Sequence, residues 1–288
     1  MANAHNHFLK LEQNVSITAS KKKKLIASRK ALEKRITDHF KAHAKLLVPK
    51  FYIQGSFKMG TMVIDKEGSY DVDLGVYFLE KPNIEPLSLQ KNVFNGVKNH
   101  TDTGVEQRDK CIRVIYKGDF DIDIPVYYKT PNDKHPFLAT KNGWLESDPK
   151  ELCDWFKTKN DNNGQLKRLV KYLKSWANHR SKKMPSGIAF TVWVTNNYKP
   201  NSRDDKAFYD TAKAIENCFG SFFNGDTEVI NPATPKDNLL KLDFDQRTNF
   251  KEAFRQMLKD AEQAIQTNSN KKALNIWKQL FGDKFPVI

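Results

Sequence analysis

Cysteine is scarce in this chain of 288 residues: Cys111, Cys153 and Cys218 are odd in number, far apart and in no Cys-x-x-Cys spacing. That excludes a disulfide framework and a cysteine-based zinc finger, and it predicts reduced thiols. Long hydrophobic runs are missing as well. No stretch approaches the ~20 apolar residues of a membrane helix, and the opening MANAHNHFLK lacks the apolar centre of a signal peptide, so a soluble, cytoplasmic protein with no membrane partner is expected. With 13 Gly and 12 Pro, collagen-like and low-complexity structure are excluded. Acidic residues are in deficit, 34 Asp+Glu against 48 Lys+Arg, which leaves a formal charge of +14. The excess points to polyanions (nucleic acid, nucleoside triphosphates or an acidic membrane face) without choosing among them.

What remains is the composition of a globular protein, 39% hydrophobic and 28% charged, long enough for one large domain or two small ones. Leu25, Leu32, Ile36 and Phe40 recur at helical spacing, predicting a long basic helix from Lys21 to Leu47 with Ser20 as its N-cap and Pro49 as its stop. From Phe51 to Tyr128 the texture changes to short β-branched and aromatic runs parted by Gly, Asn and Asp, which reads as a sheet. Beyond Trp144 the helical period returns, with stripes at Leu166, Leu169, Val170, Leu173, Trp176 and Ala177 and again from Phe250 to Ile265 and Ala273 to Phe281. The expected fold is α+β: a sheet-bearing lobe over 1–145 that includes the long helix, and a helical lobe over 146–288 that closes a cleft.

Two stretches carry chemistry. Gln54-Gly55-Ser56-Phe57-Lys58-Met59-Gly60-Thr61 follows a short apolar run, and a Gly-Ser turn there offers close-approaching backbone amides and a hydroxyl to phosphate oxygens. Ten residues on, Asp71 and Asp73 stand at i and i+2 of a strand and therefore share a face. A second pair, Asp121 and Asp123, repeats the pattern with apolar residues between. Carboxylates crowded on one face repel by about 4 kcal/mol per pair at 4 Å and an effective dielectric near 20, so a cation belongs among them. An all-oxygen ligand set selects Mg²⁺ or Mn²⁺, and two such ions are a device for nucleotidyl transfer.

The Gly-Ser loop, the Asp-x-Asp strand and the later acid in Asp123-Ile124-Pro125-Val126-Tyr127 resemble the nucleotidyltransferase superfamily that includes DNA polymerase beta, poly(A) polymerases and oligoadenylate synthases. Ser147-Asp148-Pro149 with Trp155-Phe156, Tyr172 to Trp176 with Pro185-Ser186-Gly187, and the ending Phe281 to Pro286 extend the likeness over nearly the whole chain. Within the superfamily the chain resembles the bacterial cGAS/DncV-like nucleotidyltransferases, cyclic-oligonucleotide synthases of CBASS antiphage signalling. The resemblance implies that Asp71, Asp73 and Asp123 hold two metal ions. It implies that Gln54, Gly55, Ser56 and Thr61 form the donor-nucleotide loop, that Arg113 aims at phosphate, and that Lys174 and Ser186 reach the triphosphate tail. It further implies NTP substrates, ATP among them, and regulatory or effector proteins as partners.

Lys174 has independent support, since of Lys167, Lys171 and Lys174 it lies nearest the apolar stripe of its helix. Two other readings compete with a cyclic di- or trinucleotide synthase. One is template-independent addition of nucleotides to RNA 3′ ends. The other is a nucleic-acid-binding module with vestigial chemistry, for which Lys21 to Lys24 would supply the charge.

Overall fold

A computed structural model describes residues 1–43, 48–159, 161, 163–219 and 227–287, with His43 described by its backbone alone. In chain order the elements open with α1 (His5–Val15), α2 (Ala19–His43), β1 (Lys50–Gln54), α3 (Gly55–Met59), β2 (Tyr70–Phe78) and α4 (Pro86–Val97). Short strands follow: β3 (Val105–Gln107), β4 (Ile112–Tyr116), β5 (Phe120–Ile124), β6 (Val126–Tyr128), β7 (Phe137–Thr140) and β8 (Gly143–Glu146). The remaining helices are α5 (Pro149–Lys159), α6 (Gln165–Asn178), α7 (Gly187–Asn196), α8 (Asp204–Glu216), α9 (Phe244–Gln266) and α10 (Asn270–Phe281). The class is α+β, as the alternation of periods indicates.

The chain forms two compact units that are not its contiguous halves 1–145 and 146–288. One gathers Met1–Ser16, Thr61–Lys66 and Phe156–Ile288, and the other Ile17–Gly60 and Glu67–Trp155. Contacts within each unit, not position along the chain, decide membership, so α1 joins the later helices and the start of α5 joins the sheet.

In the sheet unit β2 is the central strand. It pairs antiparallel with β1 and parallel with both β5 and β6. The last two are one line of chain interrupted at Pro125, which has no N–H to give to a ladder but whose carbonyl accepts from Val76 N at 2.9 Å. β4 and β3 extend the sheet beyond β5, while β7 and β8 extend it beyond β6. The anticipated stripe of α2 is buried as a set: Leu25, Leu32, Ile36 and Phe40 are each at most 1% exposed. Its start differs from expectation. The helix begins at Ala19, and Thr18 Oγ1, not Ser20, accepts the Lys21 N–H at 3.2 Å, because a cap serves the amide three residues on. Residues 44–47, where the helix was expected to end, lie outside the described residues.

In the helical unit the apolar stripes of α6, α9 and α10 make the core. Helix α1 was not anticipated, since its His, Asn and Gln content masks the apolar positions Phe8, Leu11 and Val15. Phe8 is fully buried, edge-on to Tyr172 at 5.0 Å and to Trp277 at 4.9 Å. A buried carboxylate, Asp204, ties this core together. It accepts hydrogen bonds from Arg168 Nε at 2.6 Å, Gln165 Nε2 at 2.8 Å and the Tyr172 hydroxyl at 2.8 Å.

Candidate active site

The Gly55 turn sits at the end of β1, where the chain passes directly into the single-turn helix α3. Gly55 has φ +63°, and a Cβ there would stand 2.0 Å from Asp73 Oδ2, so both backbone conformation and the approach of the acid require glycine. Gly60, at φ 71°, ends the turn in the left-handed region. Ser56 is half-buried on α3 between them. Gln54 is buried, and its amide is committed to two tyrosines: Nε2 donates to Tyr127 Oη and Oε1 accepts from Tyr77 Oη, both at 3.0 Å. The tyrosine rings stack at 4.6 Å. Gln54 thus braces the turn from within. Beside the turn, Cys153 Sγ lies 4.0 Å from Gly55 O, and burial pushes its thiol up to about 11, so it is a neutral, unreactive group at pH 7.

Parallel pairing of β2 with β5 sets Asp71 beside Asp121 and Asp73 beside Asp123, with Val72 and Ile122 buried between them. The two acid pairs therefore project from the same face. On the other side of β5, antiparallel pairing sets Arg113 of β4 opposite Asp123. The guanidinium of Arg113 holds Asp123 bidentately, Nε to Oδ1 at 2.7 Å and Nη2 to Oδ2 at 2.6 Å. It also reaches Asp121 Oδ2 at 3.1 Å and lies 3.7 Å from Asp71 Oδ2. The cation that carboxylate crowding demands is thus supplied by the chain itself. Arg113, expected to aim at phosphate, is aimed at acids.

Exposure grades the group. The side chain of Asp123 is 14% exposed and that of Asp71 64%. Dehydration and then the field of Asp123 push the Asp71 carboxyl up, while Arg113 pulls it down. At 64% exposure solvent offsets much of the dehydration, which leaves the neighbouring carboxylate as the main cause.

An all-oxygen set that already attracts a guanidinium has the charge and the donor chemistry for a hard divalent cation, and Asp71, Asp73 and Asp123 would hold it. Their oxygens do not all come within 4.8 Å of one another; among the described residues the group that does is His135, Asp148 and Glu151. No sequence pattern singles out His135, and Asp148 stands out only within Ser147-Asp148-Pro149, one of the motifs that carry the family likeness.

Three expected residues belong to the helical unit. Lys174 is buried, and its Nζ donates to both O and Oγ1 of Thr61 at 3.3 Å. Its stem passes over Gly187, where a Cβ would meet Lys174 Cε at 3.2 Å. Ser186 is exposed and caps α7, its Oγ accepting from Ala189 N at 3.3 Å. Lys174, Thr61 and the start of α7 are therefore one local arrangement, with Thr61 fully buried beneath the ammonium.

Comparison with known proteins agrees with this geometry. Residues 49–127, spanning β1 to β6, match the family described as cyclic GMP-AMP synthase DncV-like, nucleotidyltransferase domain. A cyclic GMP-AMP synthase of Escherichia albertii is 33% identical over 185 residues, 58% of this chain and 41% of that protein, so the match spans less than half of the relative. A cyclic AMP-AMP-AMP synthase of an Acinetobacter species is 26% identical over 257 residues, 82% of this chain and 72% of the relative. The crystal structure of the Vibrio cholerae DncV cyclic AMP-GMP synthase superposes with a TM-score of 0.84 over 99% of this chain and 98% of that one, at 19% identity, which speaks to fold. Residues 49–127, which carry the Gly-Ser turn and the paired Asp-x-Asp strands, thus match a DncV-like nucleotidyltransferase domain, and the whole chain shares the fold of the Vibrio cholerae enzyme.

Proposed function

We propose that the protein condenses nucleoside triphosphates into a cyclic di- or trinucleotide second messenger, acting in the cytoplasm as part of CBASS antiphage signalling. The observation that carries the reading is the parallel register that sets Asp71 and Asp73 beside Asp121 and Asp123, next to a turn that only Gly55 can make. Relatives named as cyclic GMP-AMP and cyclic AMP-AMP-AMP synthases support the product class.

In this reading Asp71, Asp73 and Asp123 hold two Mg²⁺ or Mn²⁺ ions. When bound, these ions lower the pKa of an acceptor 3′ or 2′ hydroxyl and neutralise the triphosphate. Gly55 and Ser56 give the donor phosphates backbone amides and a hydroxyl, and the two buried tyrosines keep that turn in place through Gln54. Asp123 is available for this role once Arg113 lets go of it, and the freed guanidinium then has phosphate oxygens to bind. Lys174, held on Thr61, and Ser186 serve the triphosphate tail. Attack on the α-phosphate expels pyrophosphate, and a second attack within the linear product closes the ring.

Incubation with the four NTPs and Mg²⁺ or Mn²⁺, then phosphatase treatment and mass spectrometry, tests this. A phosphatase-resistant cyclic product that Asp71→Asn and Asp73→Asn abolish is the expected result. Products formed only on added RNA would overturn it.

A further inference from the structure

Among the described residues, His135, Asp148 and Glu151 bring one imidazole nitrogen and two carboxylate oxygens within 4.8 Å of one another. They come from three places in the sheet unit: the loop between β6 and β7, the residue just before α5, and the first turn of α5. His135 Nδ1 lies 3.4 Å from Asp148 Oδ2 and 3.2 Å from Glu151 Oε2. A direct pairing of charges would be tighter, since N⁺–H···O⁻ bonds run at about 2.7–2.9 Å, and one Nδ1 proton shared between two carboxylates gives only a long, three-centred bond to each. Ligand atoms bonded at about 2.0–2.1 Å to a tetrahedral ion stand about 3.3 Å apart, and the two contacts bracket that edge length.

The surroundings are those of a prepared ligand set. Asp148 Oδ1 accepts the Glu151 N–H at 2.9 Å, which fixes the carboxylate and leaves Oδ2 turned to the histidine. His135 is 7% exposed and Asp148 8%, while Glu151 is exposed at the rim. Asp148 and Glu151 line a cavity of about 570 Å³ together with Tyr52, Tyr77, Lys129 and Pro136. A fourth coordination position can open into that space.

We propose that His135, Asp148 and Glu151 form a divalent metal site of the zinc type, which shares no residue with the acids of β2 and β5. Its imidazole ligand selects Zn²⁺ or Co²⁺ over Mg²⁺. The ion fastens the β6–β7 loop to the start of α5, and the fourth ligand is a water or a small anion from the cavity.

The test uses the full chain carrying Asp71→Asn and Asp73→Asn, stripped with EDTA, so that the acids of β2 cannot account for bound metal. Titration with Co²⁺ is expected to give one equivalent with the visible bands of a tetrahedral ion, displaced by Zn²⁺ and unaffected by excess Mg²⁺. Zn²⁺ is expected to raise the melting temperature. Glu151→Gln changes an exposed side chain and keeps the fold, and it should weaken Co²⁺ binding at least about tenfold; His135→Gln should abolish it. Absence of Co²⁺ binding at tens of micromolar, or an unchanged affinity in Glu151→Gln, would overturn the proposal and leave an ordinary ion pair. Because the readout is metal binding in a catalytically disabled chain, its outcome is separate from that of the NTP assay.

Discussion

Arg113 and Asp123, opposite each other on β4 and β5, are joined by two hydrogen bonds of 2.7 and 2.6 Å, a bidentate clamp on one of the acids proposed to hold metal. The same guanidinium spans Asp121 and approaches Asp71, so one positive group holds together three negative ones. Its removal should expose their mutual repulsion. Arg113→Gln is expected to lower the melting temperature in EDTA by roughly 4 °C, the equivalent of about 1–2 kcal/mol in a protein of this size, and Mg²⁺ should restore most of the loss. Thermal melts with and without Mg²⁺ check this; a deficit that Mg²⁺ leaves untouched would mean that Arg113 is only a structural brace.

Asp73 is packed against the Gly55 turn, so charge and position can be tested apart. Asp73→Asn keeps the shape and removes the charge. Product formation should fall by at least about 10³-fold, or about 4 kcal/mol of transition-state stabilisation, with the melting temperature little changed. Quantified cyclic product against far-ultraviolet melts gives the comparison.

Gly55→Ala acts through shape alone. At φ +63° with Asp73 Oδ2 2.0 Å from the new Cβ, the substitution must move either the turn or the acid. The backbone cost alone is about 1–2 kcal/mol. Activity should drop as far as in Asp73→Asn, and wild-type activity in Gly55→Ala would mean that the turn is unimportant.

Asp204 sets an acid limit on stability. Dehydration pushes its carboxyl up, but hydrogen bonds from Arg168, Gln165 and Tyr172 outweigh that, and it sits below the ordinary aspartate range. A folded value lower than the unfolded one stabilises fully above about pH 4–5 and is lost as the pH falls through the folded value. Asp204→Asn should cost about 3–5 kcal/mol at pH 7, because Arg168 is left without its counter-ion, and should flatten the acid end of the stability curve. Denaturant titrations between pH 3 and 7 measure both.

Lys174→Gln tests the helical unit's share in the reaction. The amide can still reach Thr61 but carries no charge, so KM for NTP should rise by about tenfold with a smaller change in kcat. An effect on kcat alone would assign Lys174 to a different step.

Most of the sheet face was legible because a strand's period of two depends on nothing but the chain: Asp71 with Asp73, and Asp121 with Asp123, had to share faces. The stripe Leu25, Leu32, Ile36 and Phe40 was legible for the corresponding reason in a helix. Helix α1 was not, since its burial comes from Phe8 meeting Tyr172 and Trp277, which lie far along the chain. The direction in which Arg113 points was equally hidden. Whether it meets phosphate or carboxylate depends on the β4–β5 register, which no local pattern specifies.

By itself, then, the sequence determined the α+β class, the two Asp-x-Asp faces and the glycine turn, which rest on local period and spacing, and it carried the motifs on which the family likeness rests. Tertiary structure alone decided that β2 and β5 run parallel in the register that pairs the acids. It also decided that Gln54 turns inward to two tyrosines and that His135, Asp148 and Glu151 converge. Those are contacts between segments brought together by packing, and non-local pairing is set by the whole core and not by any window of the chain.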